Sequence, residues 1–189
     1  MNKTVLFVCT GNTCRSPMAE GILRLKAREK GISLTIRSAG VAAAGGGPIS
    51  PHARQILQDR GIEDSFQSTP VSEEAVQWAE LILTMTMSHK RALIERYPQE
   101  ADKIFTLKEY TLESDLHQER EKLAAELEIK KALSQEITDS ELQQLALLHQ
   151  GSYDVVDPFG GSLEDYQLCA QDIEQCLDKL LERWSEENQ

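Results

Sequence analysis

A chain of 189 residues is long enough to bury one substantial hydrophobic core and reads as a single domain, 1–189. Acidic residues outnumber basic ones 31 to 20, and the resulting formal charge of −11 argues against nucleic acid or an anionic membrane as the main partner. No apolar run approaches membrane-spanning length, and the four cysteines and four histidines have neither zinc-type spacing nor the density of a disulfide scaffold. Met1–Val8 carries one positive charge and reads as a strand rather than a leader. The expectation is a cytoplasmic protein with reduced thiols, no metal and no cofactor.

In chain order, strand-like runs fall at Thr4–Val8, Leu34–Arg37, Leu81–Thr84 and Ile104–Leu107. Helical patterns separate them at about Pro17–Lys30, Pro51–Arg60, Glu73–Trp78 and Ser88–Tyr97. Strands alternating with helices predict an α/β fold of three layers, a four-stranded parallel sheet flanked by helices. Ligands of such sheets sit at the carboxyl ends of the strands, where Cys9 and Thr84–Thr86 are expected. Residues 99–150 hold no Gly and no Pro and are rich in helix formers, so two helices are predicted at about 113–134 and 139–149, the second opened by a capping box at Thr138 and Glu141. They form a helical insertion at about 110–152. Leu123, Leu127, Leu142, Leu145 and Ala146 could pack the two together; a solvated charged excursion is the alternative. Leu163–Trp184 reads as an amphipathic C-terminal helix with apolar residues at 163, 166, 173, 177, 180, 181 and 184.

The most informative segment is Cys9-Thr10-Gly11-Asn12-Thr13-Cys14-Arg15-Ser16, directly after the apolar strand Val5–Val8. A loop between a strand and a helix N-terminus can turn successive backbone N–H groups inward as an anion nest. That setting favours Cys9 as a thiolate. Arg15 offers a planar, permanently charged fork for two phosphoryl oxygens. Gly11 gives the loop access to positive φ, and Asn12 tolerates the left-handed region. Ser16 is placed to donate a hydrogen bond to the Cys9 sulfur or to cap the helix, two compatible roles. The usual nucleotide-binding loop is excluded, because Gly-x-x-x-x-Gly-Lys-Ser/Thr does not occur.

With this loop, Arg37-Ser38-Ala39-Gly40-Val41 and Val156-Asp157-Pro158-Phe159-Gly160-Gly161, the chain resembles the low-molecular-weight protein tyrosine phosphatase family over all but about residues 110–152. Thr13 and Phe159-Gly160-Gly161 look most like its protein arginine phosphatase branch. The resemblance implies a phosphatase working through a cysteinyl-phosphate on phosphorylated protein substrates. Cys9 is the implied nucleophile, Arg15 the oxyanion ligand and Asp157 the general acid; Asp154 and Asp165 lack the Asp-Pro pattern. Thr10, Gly11, Asn12, Thr13, Cys14 and Ser16 build the substrate cradle, with Phe159 as a wall. The resemblance also gives Ser38 a hydrogen bond to Asn12, although turn formation explains that serine almost as well. It allows a Cys9–Cys14 disulfide under oxidation, against plain packing for Cys14.

Substrate choice rests on the rim. The Thr13 hydroxyl can accept from a guanidinium N–H where an aliphatic residue could not, and Val41–Gly47 has no aromatic to stack on a phenyl ring. Phosphoarginine is therefore favoured over phosphotyrosine, the main alternative. An arsenate reductase-like relay would need Cys169 and Cys176, which the helical pattern places two turns apart and which read as core.

Overall fold

The computed structural model describes residues 3–112, 122–133, 135–143 and 153–185 in full, and the backbone at 113–121 and 186. Four strands, β1 (Lys3–Cys9), β2 (Leu34–Gly40), β3 (Leu81–Thr84) and β4 (Ile104–Thr106), form one parallel sheet in the order β2-β1-β3-β4. After β1 the chain first builds outward to β2, then returns to the other side of β1 with β3. The order of strands therefore reverses between β1 and β3, and the crevice at their carboxyl ends is where such sheets bind ligands.

Alternation along β1 assigns its side chains to two cores. Val5, Phe7 and Cys9 face α1 (Arg15–Glu29), α2 (Pro51–Asp59) and the C-terminal α6 (Leu163–Glu186), while Leu6 and Val8 face α3 (Glu73–Trp78) and α4 (Met87–Arg96). Both faces are covered, so the strand reads as a continuous apolar run. The predicted stripe of α6 is the buried one: Tyr166, Ile173, Leu177, Leu180, Leu181 and Trp184 lie in the core, and Leu163 packs against it.

Among the boundaries that differ from the sequence reading, β2 runs on to Gly40 instead of ending at Arg37, and two helices start earlier than expected. Helix α1 begins at Arg15 rather than Pro17, which places Pro17 in the first turn, where a missing N–H costs nothing. Leu107, expected to end a strand, instead opens α5 (Leu107–Ala132). The cause is a capping box: Glu109 N–H donates to Thr106 Oγ1 (3.0 Å), and Thr106 N–H to Glu109 Oε2 (3.1 Å). Leu107, Tyr110 and Leu112 join the core beside α6, so the first turns of α5 belong to the sheet layers. The second capping box is present, with Glu141 N–H donating to Thr138 Oγ1 (3.3 Å), and helical backbone runs over 139–143. Of the residues expected to pack the two segments together, Leu127 is buried, Leu123 half-buried and Leu142 exposed; Leu145 and Ala146 lie outside the described residues. Among the described residues an ion pair of Lys130 with Glu141 joins the two segments.

Candidate active site

The loop from Cys9 to Ser16 is held from outside by its carbonyls. Val41 N–H donates to Cys9 O (2.9 Å), Ala42 N–H to Thr10 O (2.9 Å), Ser68 Oγ to Gly11 O (2.8 Å) and Ser50 N–H to Thr13 O (2.9 Å). Because a trans peptide points its N–H opposite its C=O, the amides that follow these carbonyls turn toward the loop interior. The first-turn amides of α1, which have no intrahelical acceptor, add to them.

Asn12 is the left-handed residue of the loop, at φ 54°, whereas Gly11 keeps a negative φ, contrary to the role expected for it. The left-handed step is borne by a side chain that the fold saturates. Asn12 Nδ2 donates to Ser16 Oγ (2.9 Å) and Ser38 Oγ (2.8 Å), and its Oδ1 accepts from Thr69 N–H (2.8 Å). Gly11 has room for a Cβ, and its bareness serves the mouth of the cleft. The glycine with no such freedom is Gly40 at the end of β2, where a Cβ would stand 2.5 Å from Thr10 O and 2.7 Å from Asn12 N. The Ser38 hydroxyl in turn donates a hydrogen bond to Glu20, a buried carboxyl whose desolvation raises its pKa above the usual range.

Cys9 is buried at the base of the loop, with Asn12 N–H 3.3 Å and Ser16 Oγ 2.9 Å from its sulfur. Two donors facing one sulfur stabilise negative charge on it. Ser16 is no helix cap: it lies inside α1, whose cap position is Cys14, and its hydroxyl turns inward to Cys9. Cys14 is buried behind the loop, 3.1 Å from the Tyr166 hydroxyl of α6, and is a free thiol. Thr10, Gly11, Thr13 and Phe159 line a cleft of ≈ 240 Å³ with Cys9, Cys14, Arg15 and Asp157.

Arg15 is anchored at one end and paired at the other. Its Nη1 donates to Val155 O (3.2 Å), its Nη2 to Asp157 Oδ2 (2.8 Å), and its buried Nε has no hydrogen-bond partner. The acid segment is itself tied to the end of β3: Val155 N–H donates to Met85 O (2.8 Å), and Asp154 Oδ1 accepts from Met87 N–H (2.7 Å). Gly160, at φ 78°, turns the chain back toward α6. Of the neighbouring acids set aside in the sequence, Asp154 holds the acid segment, whereas Asp165 only caps the start of α6 in a reciprocal pair with Ser162. Cys169 and Cys176 lie in the core, and burial pushes the Cys169 thiol up to about 12 and raises that of Cys176, which leaves neither suited to a thiol relay.

Sequence reasoning missed His89, weighed there only as a possible metal ligand. On α4 it is buried, its Nε2 lies 2.8 Å from Thr10 Oγ1, and its Nδ1 has no partner. Burial, reinforced by the Arg15 charge, lowers its pKa to about 4. Its position just past the end of β3, at the ligand-binding edge, was the available signal. The shift has a consequence for stability. The unfolded chain takes up a proton near pH 6.5, which the folded imidazole refuses until about pH 4, so this histidine costs stability progressively as pH falls through that window. Thermal denaturation of parent and His89→Gln between pH 7 and 4 should show a shallower loss for the variant. Equal slopes would assign the acid sensitivity to other groups.

A sheet of this topology with a Cys-x-x-x-x-x-Arg-Ser loop at its switch point defines a phosphate-handling α/β enzyme. The profile of the family "Low molecular weight phosphotyrosine protein phosphatase" matches residues 4–145, and the chain belongs to that family: it is a cysteine-dependent phosphatase. The Protein-arginine-phosphatase of Geobacillus stearothermophilus is 34% identical over 179 residues, 95% of this chain and 94% of that protein. The Low molecular weight protein-tyrosine-phosphatase PtpB of Staphylococcus haemolyticus is 31% identical over 173 residues, covering 92% and 91% of the two chains. A YwlE arginine phosphatase mutant with a phosphorylated active site serine superposes with a TM-score of 0.74 at 32% identity, covering 96% of this chain and 95% of that one. Among the described residues, no helix is long and apolar enough to cross a membrane and no cluster of potential metal ligands occurs.

Proposed function

We propose that the chain is a cytoplasmic protein arginine phosphatase that uses Cys9, Arg15 and Asp157. The observation carrying the choice of substrate is the presence of Thr13, a residue with a hydroxyl, on the wall of a cleft whose lining includes a single aromatic, Phe159. The name of the Geobacillus relative, which matches nearly the whole chain, supports it. A guanidinium N–H entering a partly dry cleft needs an acceptor, and Thr13 supplies one.

In this reading the phosphoryl group rests on the inward amides, and the side-on edge of Arg15, Nε with Nη2, grips two of its oxygens. Nε is already without a partner, and a phosphoryl group takes over Nη2 from Asp157. Asp157 is then released toward the leaving group. The Cys9 sulfur attacks in line as the P–N bond breaks, and Asp157, having taken a proton from solvent on its release from Arg15, gives that proton to the departing guanidine nitrogen. The resulting carboxylate next takes a proton from water, whose oxygen attacks phosphorus and expels the Cys9 thiolate as phosphate forms. Ser16 and the Asn12 amide steady the sulfur whenever it carries charge. Ser38 and Asn12 hold the loop in its left-handed step, Thr10 and Gly11 shape the mouth, and Cys14 packs beneath the cradle. The helices beyond the first turns of α5 are read as an insertion on this one domain.

The test is a matched pair of peptides differing only in phosphoarginine or phosphotyrosine, assayed with the parent and with Thr13→Ile. The parent should prefer phosphoarginine. The variant should shift the ratio of specificity constants toward phosphotyrosine by about 1–3 kcal/mol, the cost of an unmet polar group in a dry site. A parent that favours phosphotyrosine would overturn the substrate assignment, and an unchanged ratio would remove Thr13 as the selector.

A further inference from the structure

Behind the acid segment runs a second groove, of ≈ 280 Å³, between residues 156–161 and the outer face of α6. Six large hydrophobic side chains are exposed among the described residues, and three of them, Val156 (74%), Phe159 (76%) and Leu168 (59%), line this groove. Single exposed apolar residues are ordinary, but three converging on one concavity mark a surface that something covers. Phe159 and Asp157 line both this groove and the active-site cleft. The two depressions therefore meet at Asp157 and Phe159, and a polypeptide whose phosphorylated side chain enters the cleft can reach the groove with its flanking residues.

The rim sets the charge of the occupant. The Asp165 carboxylate accepts from the Ser162 N–H and Oγ (2.7 Å each), bonds that hold its pKa below the usual carboxylate range and keep it ionised at neutral pH. Asp172, farther along α6, is already paired with Lys108 (2.8 Å), which leaves Asp165 as the acid available to a visitor.

We propose that this groove, built from Val156, Phe159 and Leu168 with Asp165 on its rim, binds the stretch of a substrate protein that flanks the phosphorylated residue. It selects an aliphatic side chain with a neighbouring lysine or arginine. The inference rests on the phosphatase reading of the cleft and adds to it a sequence preference outside the phosphorylated residue. An extended chain advances about 3.3 Å per residue, so the preferred side chains stand within a few positions of the modified one.

The experiment uses the full chain and peptides carrying phosphoarginine, or phosphotyrosine, with a Leu-Lys pair placed on either side within three positions. Controls replace that pair by Ala-Ala or Leu-Glu. The parent should turn over the Leu-Lys peptides with a specificity constant about tenfold above the Ala-Ala controls for whichever phosphorylated residue it accepts, through KM. Leu168→Ala and Asp165→Asn, the latter retaining the capping oxygen, should erase most of that advantage. Both should leave a small aryl phosphate and the Ala-Ala peptides untouched. Salt should weaken the lysine preference in the parent and not in Asp165→Asn. Equal specificity constants across the flanking sequences would overturn the proposal. So would variants that lose small-substrate turnover in step with peptide turnover, since the groove would then only support the acid segment. Failure on phosphoarginine with retained flank preference on phosphotyrosine would sink the substrate assignment and leave the groove standing.

Discussion

Cys9→Ser should reduce turnover to below detection while inorganic phosphate still binds. The carbonyls that orient the loop are held by Val41, Ala42, Ser50 and Ser68, none of which touches the sulfur through its side chain, so the anion cradle outlives the substitution. What disappears is the soft nucleophile. A serine hydroxyl is scarcely ionised near neutral pH, and any phosphoryl group it captures is an oxygen ester with a poor leaving group. Single-turnover assays with phosphate binding measured in parallel separate the two effects. Turnover within a few-fold of the parent would rule out the covalent route. Arg15→Lys should also be severely impaired. A lysine brings a point charge, but it cannot reproduce a fork that anchors on Val155 O while presenting a second edge to the ligand.

Asp157→Asn should lower kcat by about 10²–10⁴, the usual contribution of a positioned general acid. The amide keeps an oxygen that can accept from Arg15 Nη2, so the segment stays in place and the loss reports the missing proton. Leaving groups that depart readily need little help. The deficit should therefore shrink along a series of aryl phosphates of decreasing leaving-group basicity and be largest for strongly basic leaving groups. Loss of equal size across the series would mean that Asp157 acts by holding Arg15 instead.

The phosphate loop was readable because its chemistry is local: strand, nucleophile, turn, arginine and helix follow one another without interruption. Asp157 was readable through its Asp-Pro-Phe-Gly-Gly setting, although its partner Arg15 lies 142 residues away. Other residues were hidden by the distance of their contacts. His89 reaches Thr10 across 79 residues, and Tyr166 reaches Cys14 across 152. Neither sits in a motif, and on their own helices both look like unremarkable core positions. Gly40 stands in the Arg37–Val41 segment with no role assigned to it there; its necessity comes from the backbone that passes beneath it, which no local pattern reveals. Gly11 was misread for the converse reason: a glycine permits positive φ without requiring it, and the saturated Asn12 amide carried that conformation instead. The start of α5 was missed where an apolar run and a capping box overlapped at Thr106-Leu107.

The attachment of Arg15 to Val155 has a consequence for biosynthesis. Cys9 and Arg15 leave a ribosome well before the carbonyl that orients the guanidinium, which lies 140 residues after Arg15. Ser68 and Thr69, which clamp the loop, come 57 residues after their partners. A nascent chain therefore carries its nucleophile long before it carries a finished site. Competence arrives nearly all at once, when the segment after β3 and α5 docks, and a translation product that stops short of it holds a cysteine and an arginine with no fixed relation between them.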